Sequence, residues 1–165
     1  MQKMLRRAIL VGVATIIAAP SVMAATATGN MTVTITIQSQ CTIQTVGNLN
    51  FGNSGVITAD IAQTATIGVQ CTSGSTYNVG LSAGAAPSAT VTTRQMVGTG
   101  AATINYGLYR DSGHTQNWGV TIGTDTVAGT GNGSVQNLTV YGLVPPQSTP
   151  AAGVYTDTVA ITVTY

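Results

Sequence analysis

The chain has 165 residues, room for one domain with a proper core, and carries five basic residues, four acidic residues and one histidine. Three of the basic residues, Lys3, Arg6 and Arg7, fall in the first seven positions, so the remainder sets Arg94 and Arg110 against Asp60, Asp111, Asp125 and Asp157. That remainder is mildly acidic, with no lysine and no glutamate, and argues against nucleic acid or anionic membrane as partner, because both are held by basic patches.

Residues 1–24 read as a secretory signal peptide. Lys3, Arg6 and Arg7 supply a positive start, Ala8 to Ala19 form an apolar run, and Val22-Met23-Ala24 has the small-x-small ending of a cleavage site. The apolar run is only about a dozen residues, short of the roughly 20 that a spanning helix requires. No cysteine follows the expected cleavage point, so a lipid anchor there is not expected, and the mature chain should begin at Ala25 in the periplasm.

The stretch 30–40, NMTVTITIQSQ, places Met31, Val33, Ile35 and Ile37 on one face of an extended strand, with Thr32, Thr34 and Thr36 on the other. No turn signal lies between Met31 and Cys41, so this strand cannot fold back on its own continuation, and its apolar face must be buried elsewhere. Cys41 and Cys71 form an even pair in an exported chain, which is most simply one disulfide. A zinc site would need four ligands, more than two cysteines and one histidine provide.

Residues 46–55, VGNLNFGNSG, read as a turn region anchored by Leu49 and Phe51. Strands follow at Ala65 to Cys71, at Tyr77 to Ala83, and at Ile104 to Leu108, with Val91, Met96 and Val97 as edge positions between the last two. Trp118 to Ile122 has the pattern of a short strand, Val127 to Ser134 that of a Gly-rich loop, and Leu138 to Leu143 that of a strand ended by Pro145, Pro146 and Pro150. The last strand is expected to be the longest, with Tyr155, Asp157, Val159, Ile161, Val163 and Tyr165 on one face. Because the alternation still runs at Tyr165, the strand is expected to present an open edge to another chain. Short strands, frequent Gly, Pro and Asn turns, and no helical period beyond the first residues give an all-β sandwich.

Four runs carry a resemblance to a known family: Leu49-Asn50-Phe51-Gly52, Ile67-Gly68-Val69-Gln70-Cys71, Asn105-Tyr106-Gly107-Leu108-Tyr109-Arg110-Asp111 followed by Trp118-Gly119, and the closing Gly153-x-Tyr155-x-Asp157-Thr158-Val159-x-Ile161-x-Val163-x-Tyr165. In their order and spacing they resemble the spore coat protein U domain family, which includes subunits of archaic, Csu-type chaperone-usher pili. The resemblance implies an immunoglobulin-like sandwich lacking its last, seventh strand. A periplasmic chaperone lends a strand first, and the N-terminal extension of the next subunit then replaces it. On this reading residues 25–37 are the donor strand, with Met31, Val33, Ile35 and Ile37 as its filling side chains, and 38–165 are the sandwich domain. Tyr155, Val159, Ile161, Val163 and Tyr165 line the acceptor edge. The implied partners are the chaperone, an outer-membrane usher, and other copies or sibling pilus subunits. The implied role is that of a shaft or adaptor pilin on the cell surface, supporting adhesion and biofilm formation. The same family name covers secreted coat proteins, and pilus and coat both stay open.

Enzymatic chemistry and cofactors are not expected. Asp111, Ser112 and His114 share one short turn and cannot reach the geometry of a catalytic relay. Gly129-Thr130-Gly131-Asn132-Gly133 lacks the lysine and following helix of a phosphate loop. The tyrosines and Trp118 could stack on sugar rings in a carbohydrate-binding module, but Tyr106, Tyr155 and Tyr165 stand at alternating strand positions, where packing is the plainer role.

Overall fold

A computed structural model describes residues 20–165, so the expected signal peptide lies almost wholly outside the described residues. The chain divides into two units, Met1–Ile35 and Thr36–Tyr165. In the first, residues 20–35 enter no helix or strand.

The second unit is a two-sheet β structure. Its strands are β1 (Cys41–Val46), β2 (Ile61–Cys71), β3 (Thr76–Leu81), β4 (Arg94–Val97), β5 (Thr103–Tyr109), β6 (Val127–Thr130), β7 (Val135–Val144) and β8 (Ile161–Thr164). One sheet runs in the order β1-β2-β7-β5-β4 and the other β6-β3-β8, with every ladder antiparallel. The two sheets curl into a half-barrel around one core, whose fully buried members include Val69, Val79, Leu81 and Trp118.

The longest ladder joins β2 to β7, from Ile61 opposite Val144 to Gln70 opposite Val135. It forms because Ala65, Ile67, Val69 and Cys71 share a face with Leu138, Val140, Gly142 and Val144, so both strands bury the same side. Gly142 leaves room for the anchors expected from sequence: an added Cβ there would lie 2.7 Å from a methyl of Leu49 and 3.1 Å from the Phe51 ring. Phe51 in turn meets Tyr106 edge to face, 6.1 Å between ring centres. Pro145 ends β7, and the Gln147 side chain then takes up the pairing with β5. It accepts from the Asn105 N–H at 2.9 Å and donates to the Asn105 carbonyl at 2.8 Å.

Residues 30–40 enter no helix or strand, and the first strand begins at Cys41. Two expectations are corrected. Trp118 to Ile122 is not a strand: Trp118 is buried, its indole donates to the Val79 carbonyl at 2.8 Å, and a turn closed by Asp125 follows. Conversely, 127–130 of the expected loop is β6, in register with β3 from Val127 opposite Val79 to Thr130 opposite Thr76. Gly129 hid this strand from the pattern. It stands opposite Tyr77, whose ring occupies the space where a Cβ would be, so the glycine marks close packing rather than a turn.

The closing strand is also shorter than expected. Its paired part is Ile161–Thr164, against β3, and β2 is the longest strand. Before β8 the chain follows the other sheet, where Thr156 bridges Val97 of β4. The alternation of side chains from 155 to 163 is nonetheless continuous: odd positions are half-buried and even ones exposed.

Candidate functional site

The feature that stands out is an open seam between the edges of the two sheets. β8 pairs with β3 on one side, and β1 pairs with β2 on one side. Alpha carbons of β1 and β8 approach within 8 Å, but no ladder joins the strands among the described residues.

Cross-strand partners share a face, so register identifies the side chains that point into the core at this seam. Ile43 stands opposite Val69 and Val46 opposite Ile67; both partners are buried, yet Ile43 is 39% and Val46 57% exposed. On the other edge Ile161 stands opposite Leu81 and Val163 opposite Val79, and again the partners are closed off while the edge residues are only half-buried. Val159 continues this row. Together they make an apolar strip of core-facing side chains without cover, flanked by the unpaired edge of β8. Such an edge favours main-chain pairing with an added strand whose alternate side chains fill the strip.

Of the acceptor residues expected from sequence, Val159, Ile161 and Val163 are brought together on this strip. Tyr155 lies at the other sheet, its hydroxyl donating to the Ala151 carbonyl at 2.7 Å and its ring against Gly98. Tyr165 is 59% exposed beyond β8, beside an open depression of about 500 Å³ shared with Ile37, Ser39 and Thr72. Ile43 and Val46 were missed. Their strand follows Cys41 without a clean alternation, because a bulge between Ile43 and Thr45 shifts the register. The odd spacing of Ile43 and Val46 was the available signal.

Met31, Val33, Ile35 and Ile37 are 70–87% exposed, which is unusual for four large apolar side chains in nearly continuous alternation. From residue 38 the chain is pinned. The Thr72 hydroxyl accepts from the Gln40 N–H and donates to the Gln38 carbonyl, both at 3.1 Å, and the Thr72 N–H donates to the Gln40 carbonyl at 2.9 Å. Ser39 donates to the Ser75 hydroxyl at 2.7 Å. The Cys41–Cys71 disulfide, between directly opposed residues of β1 and β2, fixes the same point covalently.

A buried arginine and a half-buried aspartate hold the approach to β8, in roles that the sequence reading did not assign to them. Arg94 is fully buried and donates to four carbonyls: Ser82 at 2.8 Å, Val91 at 2.7 Å, Leu81 at 2.9 Å and Trp118 at 2.6 Å. Burial lowers its pKa, while the charges of Tyr106, Asp157 and Asp125 oppose that shift. Asp157 accepts from the Tyr106 hydroxyl at 2.6 Å and from the Ala85 and Thr158 N–H groups at 2.8 and 2.7 Å. Burial, and then the bond to Asp157, push the Tyr106 pKa strongly upward. The Asp111 turn is likewise structural. Its carboxylate accepts from the Gln116 N–H, from the Thr115 N–H and from the Thr115 hydroxyl, which holds its pKa below the usual range, while His114 packs edge-on against Tyr109.

Comparison with known proteins agrees with this architecture. One chain of the crystal structure of the CsuC–CsuE chaperone–tip adhesion subunit pre-assembly complex, from the archaic chaperone-usher Csu pili of Acinetobacter baumannii, superposes with a TM-score of 0.56 at 23% identity. The match covers 79% of this chain and 40% of that one, and it identifies the immunoglobulin-like fold of chaperone-usher pilins. Protein U of Myxococcus xanthus is 34% identical over 96% of this chain and 99% of its own length. A model of the Spore Coat Protein U domain matches residues 27–162, and the chain belongs to that family.

Proposed function

We propose that this protein is a structural subunit, a shaft or adaptor pilin, of a surface fibre assembled by donor-strand complementation. One observation carries the reading: the chain combines an uncovered apolar strip beside an unpaired strand edge with a separate alternating apolar segment that pairs with nothing among the described residues. Residues 25–37 of one subunit would complete the half-barrel of the next, with Met31, Val33, Ile35 and Ile37 covering Ile43, Val46, Val159, Ile161 and Val163. Burial of four such side chains at roughly 1.5–3 kcal/mol each gives a gross gain of about 6–12 kcal/mol before ordering costs, enough for a long-lived non-covalent joint.

The family and the pilin fold support this reading, and they extend it to partners. A periplasmic chaperone would cover the seam before assembly, an outer-membrane usher would receive the complex, and cleavage after Ala24 would deliver the chain to the periplasm and then the cell surface. Adhesion and biofilm support would follow from the fibre, not from a site on the subunit. The test is electrophoresis of the exported protein in SDS without boiling. Concatemers that collapse to one band on heating are expected; a monomer under both conditions would refute polymerisation.

The near full-length match to Protein U favours a second reading, a coat-type structural protein that uses the same seam after secretion. Export of soluble protein in cells lacking any chaperone-usher pair would select it.

A further inference from the structure

Sulfur chemistry in this chain is confined to a few positions. The two cysteines are joined to each other, and no free cysteine remains among the described residues. Of the five methionines, Met1, Met4 and Met23 fall within the expected signal peptide, which leaves Met31 and Met96 in the mature chain. Those two have opposite settings. Met96, in β4 opposite Ile104, is half-buried against the core, whereas Met31 is 85% exposed.

Met31 also differs from its companions in the apolar row. Val33, Ile35 and Ile37 are β-branched hydrocarbons with no atom that a mild oxidant attacks, so Met31 is the one member of the row whose polarity can change after synthesis. Hydrogen peroxide converts a thioether to a sulfoxide. The O–O bond breaks, one oxygen forms an S–O bond as sulfur gives up two electrons, and the other oxygen leaves as water. The product is polar and a strong hydrogen-bond acceptor. Ile43, Val46, Val159, Ile161 and Val163, the strip that the row would cover, carry aliphatic side chains with no donor to offer it. A sulfoxide at residue 31 would therefore be buried in the joint without a side-chain partner, which weakens the joint.

We propose that Met31 is a redox-modification site, oxidised by peroxide in the unassembled subunit and shielded in the fibre, and that its sulfoxide disables the chain as a strand donor. The proposal rests on the donor-strand reading of residues 25–37 and adds a chemical control to it. Oxidant would stop the addition of new subunits and leave existing joints intact. Methionine sulfoxide reductases would restore the donor: a dithiol supplies two electrons and two protons, the oxygen leaves as water, and the dithiol becomes a disulfide.

Two measurements test it. Monomeric and concatemeric fractions of the exported wild-type protein are exposed to hydrogen peroxide, and their peptides are mapped over time. Met31 should oxidise at least about tenfold faster in the monomer than in the concatemers, and faster than Met96 within the monomer. Equal Met31 rates in the two fractions, or a Met31 no faster than Met96 in the monomer, would overturn the site. For function, Met96→Leu, a volume-conserving change, leaves Met31 as the one methionine of the mature chain. Its concatemers are dissociated in guanidinium chloride, treated with peroxide or left untreated, and returned to buffer. Peroxide should cut laddering in unboiled SDS gels by about tenfold or more, the loss expected of one unpaired polar group in a buried joint. Wild type carried through beside it should lose laddering to the same extent. The two stereospecific sulfoxide reductases, supplied with their dithiol, should restore the ladder, and the dithiol alone should not. Undiminished laddering of protein whose mass shows one added oxygen, or a loss that the reductases leave in place, would overturn the switch. Untreated wild type that forms no ladder would overturn the donor-strand reading itself, and the switch with it.

Discussion

The Tyr106 hydroxyl donates to Asp157 Oδ2 at 2.6 Å, and this bond ties β5, inside the larger sheet, to the segment that crosses to the smaller sheet and becomes β8. The position of the seam thus depends on a polar contact in a mostly apolar core.

Tyr106→Phe should therefore destabilise the fold by about 1–3 kcal/mol, since a half-buried carboxylate loses a donor. The pH dependence has a definite sign. Folding raises the Tyr106 pKa from an ordinary value of 10.0, so its contribution is fully present below that value and is lost as pH climbs above it. Wild-type urea midpoints should fall above about pH 10, and Tyr106→Phe should fall less steeply, with Tyr77, whose pKa burial also raises, supplying the residual slope. Parallel curves for the two proteins would contradict the assignment.

Arg94→Leu should cost at least about 3 kcal/mol, because four carbonyls lose their shared donor at once. Arg94→Lys should recover only part, since an ammonium cannot span four acceptors in a plane. Chemical denaturation reads both, with an unchanged slope showing that the midpoint shift reports stability.

Removing the disulfide with Cys71→Ser should lower stability by roughly 3–4 kcal/mol by the loop-entropy estimate for a separation of 30 residues. Periplasmic yield should drop accordingly. Intact-mass measurement of the wild type should show a start at Ala25 and a mass two hydrogens short of the reduced chain.

At the seam, Ile43→Asp, Ile161→Asp and Val163→Asp each place a charge on the strip that an incoming strand must cover. Each should abolish both chaperone capture and concatemers, at a cost of several kcal/mol to the complemented state. Thr162→Ser, on the exposed face of β8, should assemble normally. Wild-type ladders from Ile161→Asp would show that the strip is not the acceptor.

On the donor side, Ile35→Asp should leave a subunit that folds on its chaperone and accepts a donor but cannot give one. Mixed with wild type, it should shorten fibres in proportion to its fraction, which electron microscopy can count. Thr34→Ser should have no such effect.

The period-two runs at 65–71, 77–81 and 104–108 determined the all-β class and the buried faces, because alternation in a strand is a local property that a reader can count. The cysteine pair likewise determined the bridge, and Leu49 and Phe51 their anchoring role. Tertiary structure decided the rest. Whether Ile43 is core or open strip depends on what lies beyond β1, and residues with the same alternation, such as Val69 and Val163, end up sealed or only half-buried according to their distance from a sheet edge. Gly129 looked like a turn because the Tyr77 ring that requires it comes from another strand. Arg94 entered the sequence reading only as one charge in the balance, because its four acceptors are main-chain carbonyls, which every sequence has and only a fold can converge.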